Sequence, residues 1–110
     1  MIKVDCTEVL PIKHELMIFV ADKVAAIPAG RKKGFVLSPF DEENKIDLEN
    51  VISVVKQYLY SIGKLNSFSV FSEVDVVKIK SKDGRKIDRK TSSVNEVKTS
   101  YYTWESPFGN

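Results

Sequence analysis

Residues 47–63 read DLENVISVVKQYLYSIG and form the clearest element of the sequence. The apolar residues of this stretch repeat at helical spacing: Leu48, Val51, Ile52, Val55, Leu59 and Ile62. Asp47 is suited to the N-cap, and Gly63 to the left-handed position that ends a helix. The opposite face is polar: Glu49, Asn50, Ser53, Lys56, Gln57 and Tyr60. The pattern predicts an amphipathic helix that packs one side on a core and leaves the other for water or a partner.

The segment 14–27 has two interpretations. Its apolar spacing fits a helix, and Pro28 with Gly30 would stop that helix. The run 16–20 also fits a buried strand, because it is continuously apolar. We favour the helix on its alanine content, and the strand remains the alternative.

Two short strands are expected around this segment. Ile2 to Leu10 alternates loosely between apolar and polar residues, which predicts a strand that includes Cys6. Phe35-Val36-Leu37, between Gly34 and Pro39, predicts another.

The sequence after the clear helix predicts a long hairpin. Residues 68–79 place Phe68, Val70, Val74 and Val76 on one face before the apolar face changes sides, which indicates a long twisted strand or a bulge. Residues 82–85 read KDGR and supply turn chemistry, and residues 94–104 predict a returning strand. The hairpin would therefore carry a basic tip.

The predicted class is α+β, with one or two helices packed on one face of a mainly antiparallel sheet, in the order β-α-β-α-β-β. A chain of 110 residues with 43% hydrophobic content suits a single domain, expected over residues 1–105, with 106–110 as a flexible tail. The longest apolar run, Leu16 to Ala21, is too short to span a bilayer, and no signal peptide is evident. We therefore expect no membrane association and a cytoplasmic location.

Charge is concentrated in residues 78–90. Seven cations stand there against two acids, a local charge of +5 in a chain whose net charge is +2. The cations are Lys78, Lys80, Lys82, Arg85, Lys86, Arg89 and Lys90. Such a segment on a protruding hairpin can contact phosphates. The structural alternative is that these lysines stay solvated and protect a sheet edge from pairing with other chains.

A second basic cluster occupies residues 30–34, which read GRKKG. Arg31, Lys32 and Lys33 would lie in a flexible loop, where they could hold phosphate oxygens or form an ordinary exposed connection. Acidic residues are grouped elsewhere: Asp41, Glu42, Glu43, Asp47 and Glu49. An acidic surface beside a basic arm could steer a nucleic acid to one face or pair with the arm of a second copy.

Catalytic chemistry finds little support in the sequence. His14 is the single histidine, and no nucleophile motif or glycine-rich phosphate loop accompanies it. Cys6 is the single cysteine, which excludes an internal disulfide and a cysteine-based zinc site. We expect no enzyme, no cofactor and no metal.

These observations favour a small domain that binds DNA or RNA with weak sequence specificity, through the basic hairpin assisted by residues 31–33. The alternative is a protein-interaction module, a subunit of a larger complex or a homodimer. It would use the helix face around Tyr60 or the aromatic strand from Tyr101 to Trp104.

Overall fold

The structure is a computed structural model that describes residues 1–43, 45–85 and 87. Within these residues the chain forms five strands and two α-helices. In chain order they are β1 (Ile2–Asp5), α1 (Lys13–Val24), β2 (Ala26–Arg31), β3 (Gly34–Pro39), α2 (Leu48–Ser61), β4 (Phe68–Glu73) and β5 (Val76–Ser81). Short 3-10 helices, Thr7–Ile12 and Leu65–Ser67, precede α1 and β4. The predicted α+β class is confirmed.

The strands form one sheet in the order β2-β3-β1-β5-β4. The central strand β1 pairs antiparallel with β3 and parallel with β5, and the other two pairings are antiparallel. Val4 of β1 lies opposite Phe35 on one side and Val77 on the other. The sheet is therefore mainly antiparallel, as predicted, with one parallel pair at its centre.

Both helices cover the same face of the sheet. Residues alternate along β1, so that Ile2 and Val4 are buried while Lys3 is exposed. The two helices contact each other through Phe19 and Tyr58, whose ring centroids are 5.3 Å apart. The other face of the sheet, to which Lys3 belongs, carries no helix of the described residues, and we call it the open face.

Helix α2 has the boundaries that its sequence predicts. The Asp47 carboxylate accepts a hydrogen bond from the Glu49 amide at 3.1 Å, so it caps the N-terminus. Gly63 has φ of 73° and follows the last turn. The amide of Lys64 donates to the Leu59 carbonyl at 2.8 Å, and the Gly63 amide to Tyr60 at 3.0 Å. This pair of bonds is a Schellman motif, which explains why the helix ends there.

The N-terminal strand is shorter than predicted. β1 ends at Asp5 and not at Leu10, because the Asp5 carboxylate accepts hydrogen bonds from the Thr7 amide at 2.9 Å and hydroxyl at 2.6 Å. This local bonding turns the chain into a 3-10 helix. Cys6 therefore lies beyond the strand and not within it.

The segment 14–27 is a helix, but it ends earlier than expected. α1 ends at Val24, and Ala25 takes the left-handed conformation with φ of 55°. The next residue begins β2, which contains Pro28 and Gly30, the residues expected to stop the helix. Proline is tolerated there because β2 is an edge strand of the sheet.

The prediction of one long strand over residues 68–79 is wrong. A two-residue turn, Val74-Asp75, divides this segment into the antiparallel pair β4 and β5. The apolar face changes sides because the chain reverses there: Phe68 and Val70 are buried, whereas Val74 is 89% exposed.

The segment GRKKG is also a tight hairpin turn and not a flexible loop, since Arg31 of β2 pairs directly with Gly34 of β3. The observed order is therefore β-α-β-β-α-β-β. The predicted returning strand at 94–104 and the tail at 106–110 lie outside the described residues. Among the helices that are described, none is both long and apolar enough to cross a membrane.

Candidate functional site

The first basic cluster is held at the end of a rigid hairpin. Lys32 and Lys33 form the two-residue connection between β2 and β3, and both are exposed. The Lys33 carbonyl accepts a hydrogen bond from the Cys6 amide at 2.7 Å, which ties the turn to the residue directly after the central strand. The Lys13 ammonium donates to the Arg31 carbonyl. The backbone is fixed while the cationic side chains remain in solvent.

The turn after β5 is ordered by its own side chains. The Ser81 hydroxyl and the Asp83 carboxylate both accept from the Arg85 amide, at 2.8 Å and 3.0 Å. Gly84 has φ of 81°, which suits glycine at this position. Lys82 and Arg85 are exposed in this turn.

These two turns extend from the same end of the sheet. β5 runs parallel to β1, so Ser81 lies at the end where β1 reaches Asp5, beside Gly34. Across the sheet, the strand order β3-β1-β5 separates the strands that carry these turns by two strand spacings, about 10 Å. Along the strands, Ser81 lies three residues beyond Lys78, which is level with Asp5 and Gly34. We call this surface the basic end; its residues are Arg31, Lys32, Lys33, Lys82 and Arg85.

The remaining predicted cations have other environments. The Lys78 ammonium lies 3.7 Å from Asp5 Oδ2 and 3.8 Å from Glu73 Oε1. The Lys80 ammonium lies 3.5 Å from Glu8 Oε2. These two lysines belong to the open face, where carboxylates partly offset their charge. Lys86, Arg89 and Lys90 lie outside the described residues.

A shallow cavity of about 650 Å³ opens on the open face next to the basic end. Five cations and two acids contribute to its lining, together with apolar and small residues: Lys3, Val4, Asp5, Thr7, Arg31, Lys32, Lys33, Gly34, Glu73, Val74, Val76 and Lys78. Within the described residues, no carboxylate forms an ion pair with Lys3, Lys32 or Lys33. The cavity thus has an excess of positive charge that faces solvent.

Sequence reasoning missed Lys3, Glu73 and Val76 as parts of this surface. The alternation of buried Ile2 and Val4 is a signal that Lys3 faces away from the core. That signal cannot reveal the parallel pairing that places Val76 beside Lys3.

The Asp5 carboxyl remains ionised at lower pH than an ordinary aspartate does, because its pKa is lowered. Burial raises the pKa of this carboxyl, but the Thr7 hydrogen bonds and the charges of Lys78 and Lys80 outweigh burial. The net effect is a pKa below the ordinary value. The centre of the open face therefore holds a stable negative charge among the lysines.

The acidic cluster lies at the opposite end of the sheet. β3 begins with Gly34 at the basic end and finishes with Pro39 at the other, and Asp41, Glu42 and Glu43 follow as exposed residues. Positive and negative charge are thus separated along the sheet, which gives the domain a basic and an acidic end.

The two residues considered for catalysis have contrasting environments. Cys6 is fully buried, and burial together with the nearby Asp5 charge raises the pKa of its thiol to about 12. His14 is exposed in the first turn of α1. In residues 1–43, 45–85 and 87, no three histidine, cysteine, aspartate or glutamate side chains are grouped as a metal site requires. A thiol with so high a pKa is not a nucleophile at neutral pH.

The polar face of α2 forms a second exposed surface. Tyr60 is 74% exposed and borders a shallow groove with Lys56 and Leu65. This groove lies on the helix side of the sheet. It is therefore separate from the open face.

Comparisons of the chain with models of protein families, with curated proteins and with solved structures found no match.

Proposed function

We propose that this domain binds nucleic acid without catalysing a reaction, and that the basic end contacts the phosphates. The proposal is supported above all by one observation. Two basic turns, separate in sequence at residues 31–33 and 82–85, lie at the same end of the sheet, on strands that are two strand spacings or about 10 Å apart across the sheet. A single chain of phosphates can contact both turns at once.

The environment of the cations also supports phosphate binding. Lys32 and Lys33 are exposed on a backbone that hydrogen bonds and strand pairing fix in place. A fixed backbone lowers the ordering cost of binding, and phosphate contacts gain free energy from released counterions. Such contacts carry little sequence information, so weak sequence specificity is expected.

The acidic end favours one orientation of the domain as it approaches a nucleic acid. Asp41, Glu42 and Glu43 repel a polyanion from the far end of the sheet, while the basic end attracts it. Cytoplasmic DNA or RNA is the ligand that we propose. The predicted cations Lys86, Arg89 and Lys90, which lie outside the described residues, belong to the same proposal.

Fluorescence anisotropy with labelled single-stranded DNA, duplex DNA and RNA tests this function at about 50 mM and 200 mM salt. Five phosphate contacts with a single strand predict a loss of affinity of about 100-fold over this range. The double variant Lys32→Glu, Lys33→Glu removes two contacts, so the slope of log K against log salt should fall in magnitude by about 1.4.

The matched control is Lys23→Glu with Lys56→Glu, which makes the same change in net charge on the exposed surfaces of α1 and α2. We expect this control to keep the salt slope of the unaltered chain. Equal loss of binding in both double variants, or no binding to any ligand at about 50 mM salt, would contradict the proposal.

A protein-interaction role is the second candidate, favoured by the 74% exposure of Tyr60 beside its groove. In this role a second copy or another protein would cover the α2 surface. Light scattering after size exclusion would then show a dimer that Tyr60→Ala disrupts and that Lys32→Glu with Lys33→Glu leaves intact.

A further inference from the structure

The open face carries apolar surface that phosphate contacts do not explain. Phe71 of the edge strand β4 is 37% exposed and lies opposite Lys78 of β5. Val76 and Val36, in the neighbouring register, are only partly buried on the same face. An aromatic ring beside a cation is the surface on which an unpaired base stacks.

Carboxylates at the centre of the open face make this part of the surface unfavourable for phosphates. Asp5 and Glu73 both lie within 3.8 Å of the Lys78 ammonium, so they surround its charge. Carboxylates repel phosphates, but they accept hydrogen bonds from the amino groups of bases. The centre of the open face therefore suits bases. At the basic end, Lys32 and Lys33 form no ion pair with a carboxylate of the described residues, so this end suits phosphates.

A paired duplex cannot use both parts of this surface. Its bases are stacked inside the helix and their faces are unavailable to Phe71. In a single strand the bases can turn away from the backbone, so phosphates and base faces can be contacted side by side.

We propose that the ligand is single-stranded nucleic acid, with its phosphates along the basic end, its bases over the open face and one base stacked on Phe71. This inference rests on the proposed function and adds the strandedness of the ligand. Asp5 and Glu73 accept hydrogen bonds from base amino groups in the complex.

Anisotropy titrations with a labelled single strand of about 12 nucleotides and with its duplex test the inference at about 50 mM salt. Phe71→Leu keeps an apolar side chain but removes the ring, so it should weaken single-strand binding at least about fivefold and leave duplex binding unchanged. Phe71→Trp keeps a ring and should retain single-strand affinity. Thermal melting by circular dichroism checks that both variants are folded.

A direct readout uses Phe71→Trp in a Trp104→Phe background, where residue 71 carries the single tryptophan. Stacking of a base on the ring should quench its fluorescence when the single strand is added. Unchanged emission at saturation would overturn the inference.

The failures of the two proposals are distinguishable. Suppose that Phe71→Leu binds the single strand as tightly as the unaltered chain does, while the double variant Lys32→Glu, Lys33→Glu still loses binding. This result would overturn the stacking inference and keep the proposed function. Absence of binding to every oligonucleotide would overturn both.

Discussion

Asp5 ends β1 and carries a negative charge at the centre of the open face. Its carboxylate accepts two hydrogen bonds from Thr7 and lies 3.7 Å from the Lys78 ammonium. These contacts, together with the charge of Lys80, lower the pKa of this carboxyl against the opposing effect of burial. Because the folded pKa is depressed, Asp5 stabilises the fold above its unfolded pKa of about 3.9, and this contribution is lost as pH falls through the folded pKa.

Asp5→Asn should therefore lower the free energy of unfolding at pH 7 by about 1 kcal/mol, because a charged acceptor is replaced by a neutral one. Urea unfolding followed by circular dichroism from pH 7 to pH 2 measures this effect. The difference between variant and unaltered chain should shrink below about pH 4. Asp22→Asn, an exposed carboxylate on α1, is the control. A difference that stays constant across the whole pH range would contradict the account.

Val74 is a strained residue in the turn between β4 and β5. It is β-branched, has φ of 58° and is 89% exposed, so the left-handed backbone is not offset by packing. Val74→Gly should raise the free energy of unfolding by about 0.5–1 kcal/mol, since relief of strain exceeds the added entropy of the unfolded chain. Thermal and urea unfolding would measure it. Val76→Gly, within β5, should instead destabilise, and stabilisation by neither variant would show that the turn is unstrained.

The pairing of β3 with β1 depends on a glycine. A Cβ atom on Gly34 would lie 2.0 Å from the backbone oxygen of Val4, which leaves no room for a side chain. Gly34→Ala should cost more than about 2 kcal/mol, because relief requires movement of the central strand. Gly30→Ala is the matched control, since nothing lies within 4 Å of its added Cβ. Equal unfolding midpoints for the two variants in urea would contradict this close approach.

Elements with clear local signals were predictable, and elements whose local signals are weak or ambiguous were not. The cap and the Schellman motif of α2 are encoded by Asp47 and Gly63, so that its ends were found from sequence alone. The β4–β5 turn was missed because Val74-Asp75 lacks the Asn-Gly or Asp-Gly signature of a two-residue hairpin. The strand β2 was missed because its proline and glycine resemble stop signals for α1.

At the scale of the whole molecule, the sequence located the cations of the basic end but not their arrangement. Arg31 to Lys33 and Lys82 to Arg85 were identified as separate clusters from composition. Their common position depends on the parallel pairing of β1 with β5, a contact between residues more than 70 apart in sequence. Phe71 was not selected because its face is defined only once the turn after Glu73 is known.

The measurement that most directly tests the proposed interface is a ¹⁵N–¹H correlation NMR titration of the labelled domain with a single strand of about 12 nucleotides. We expect perturbed amides on the open face and at the basic end, including Lys3, Lys33, Phe71 and Arg85, with α2 around Tyr60 unchanged. Perturbations confined to α2, or no perturbation at millimolar oligonucleotide and low salt, would contradict it.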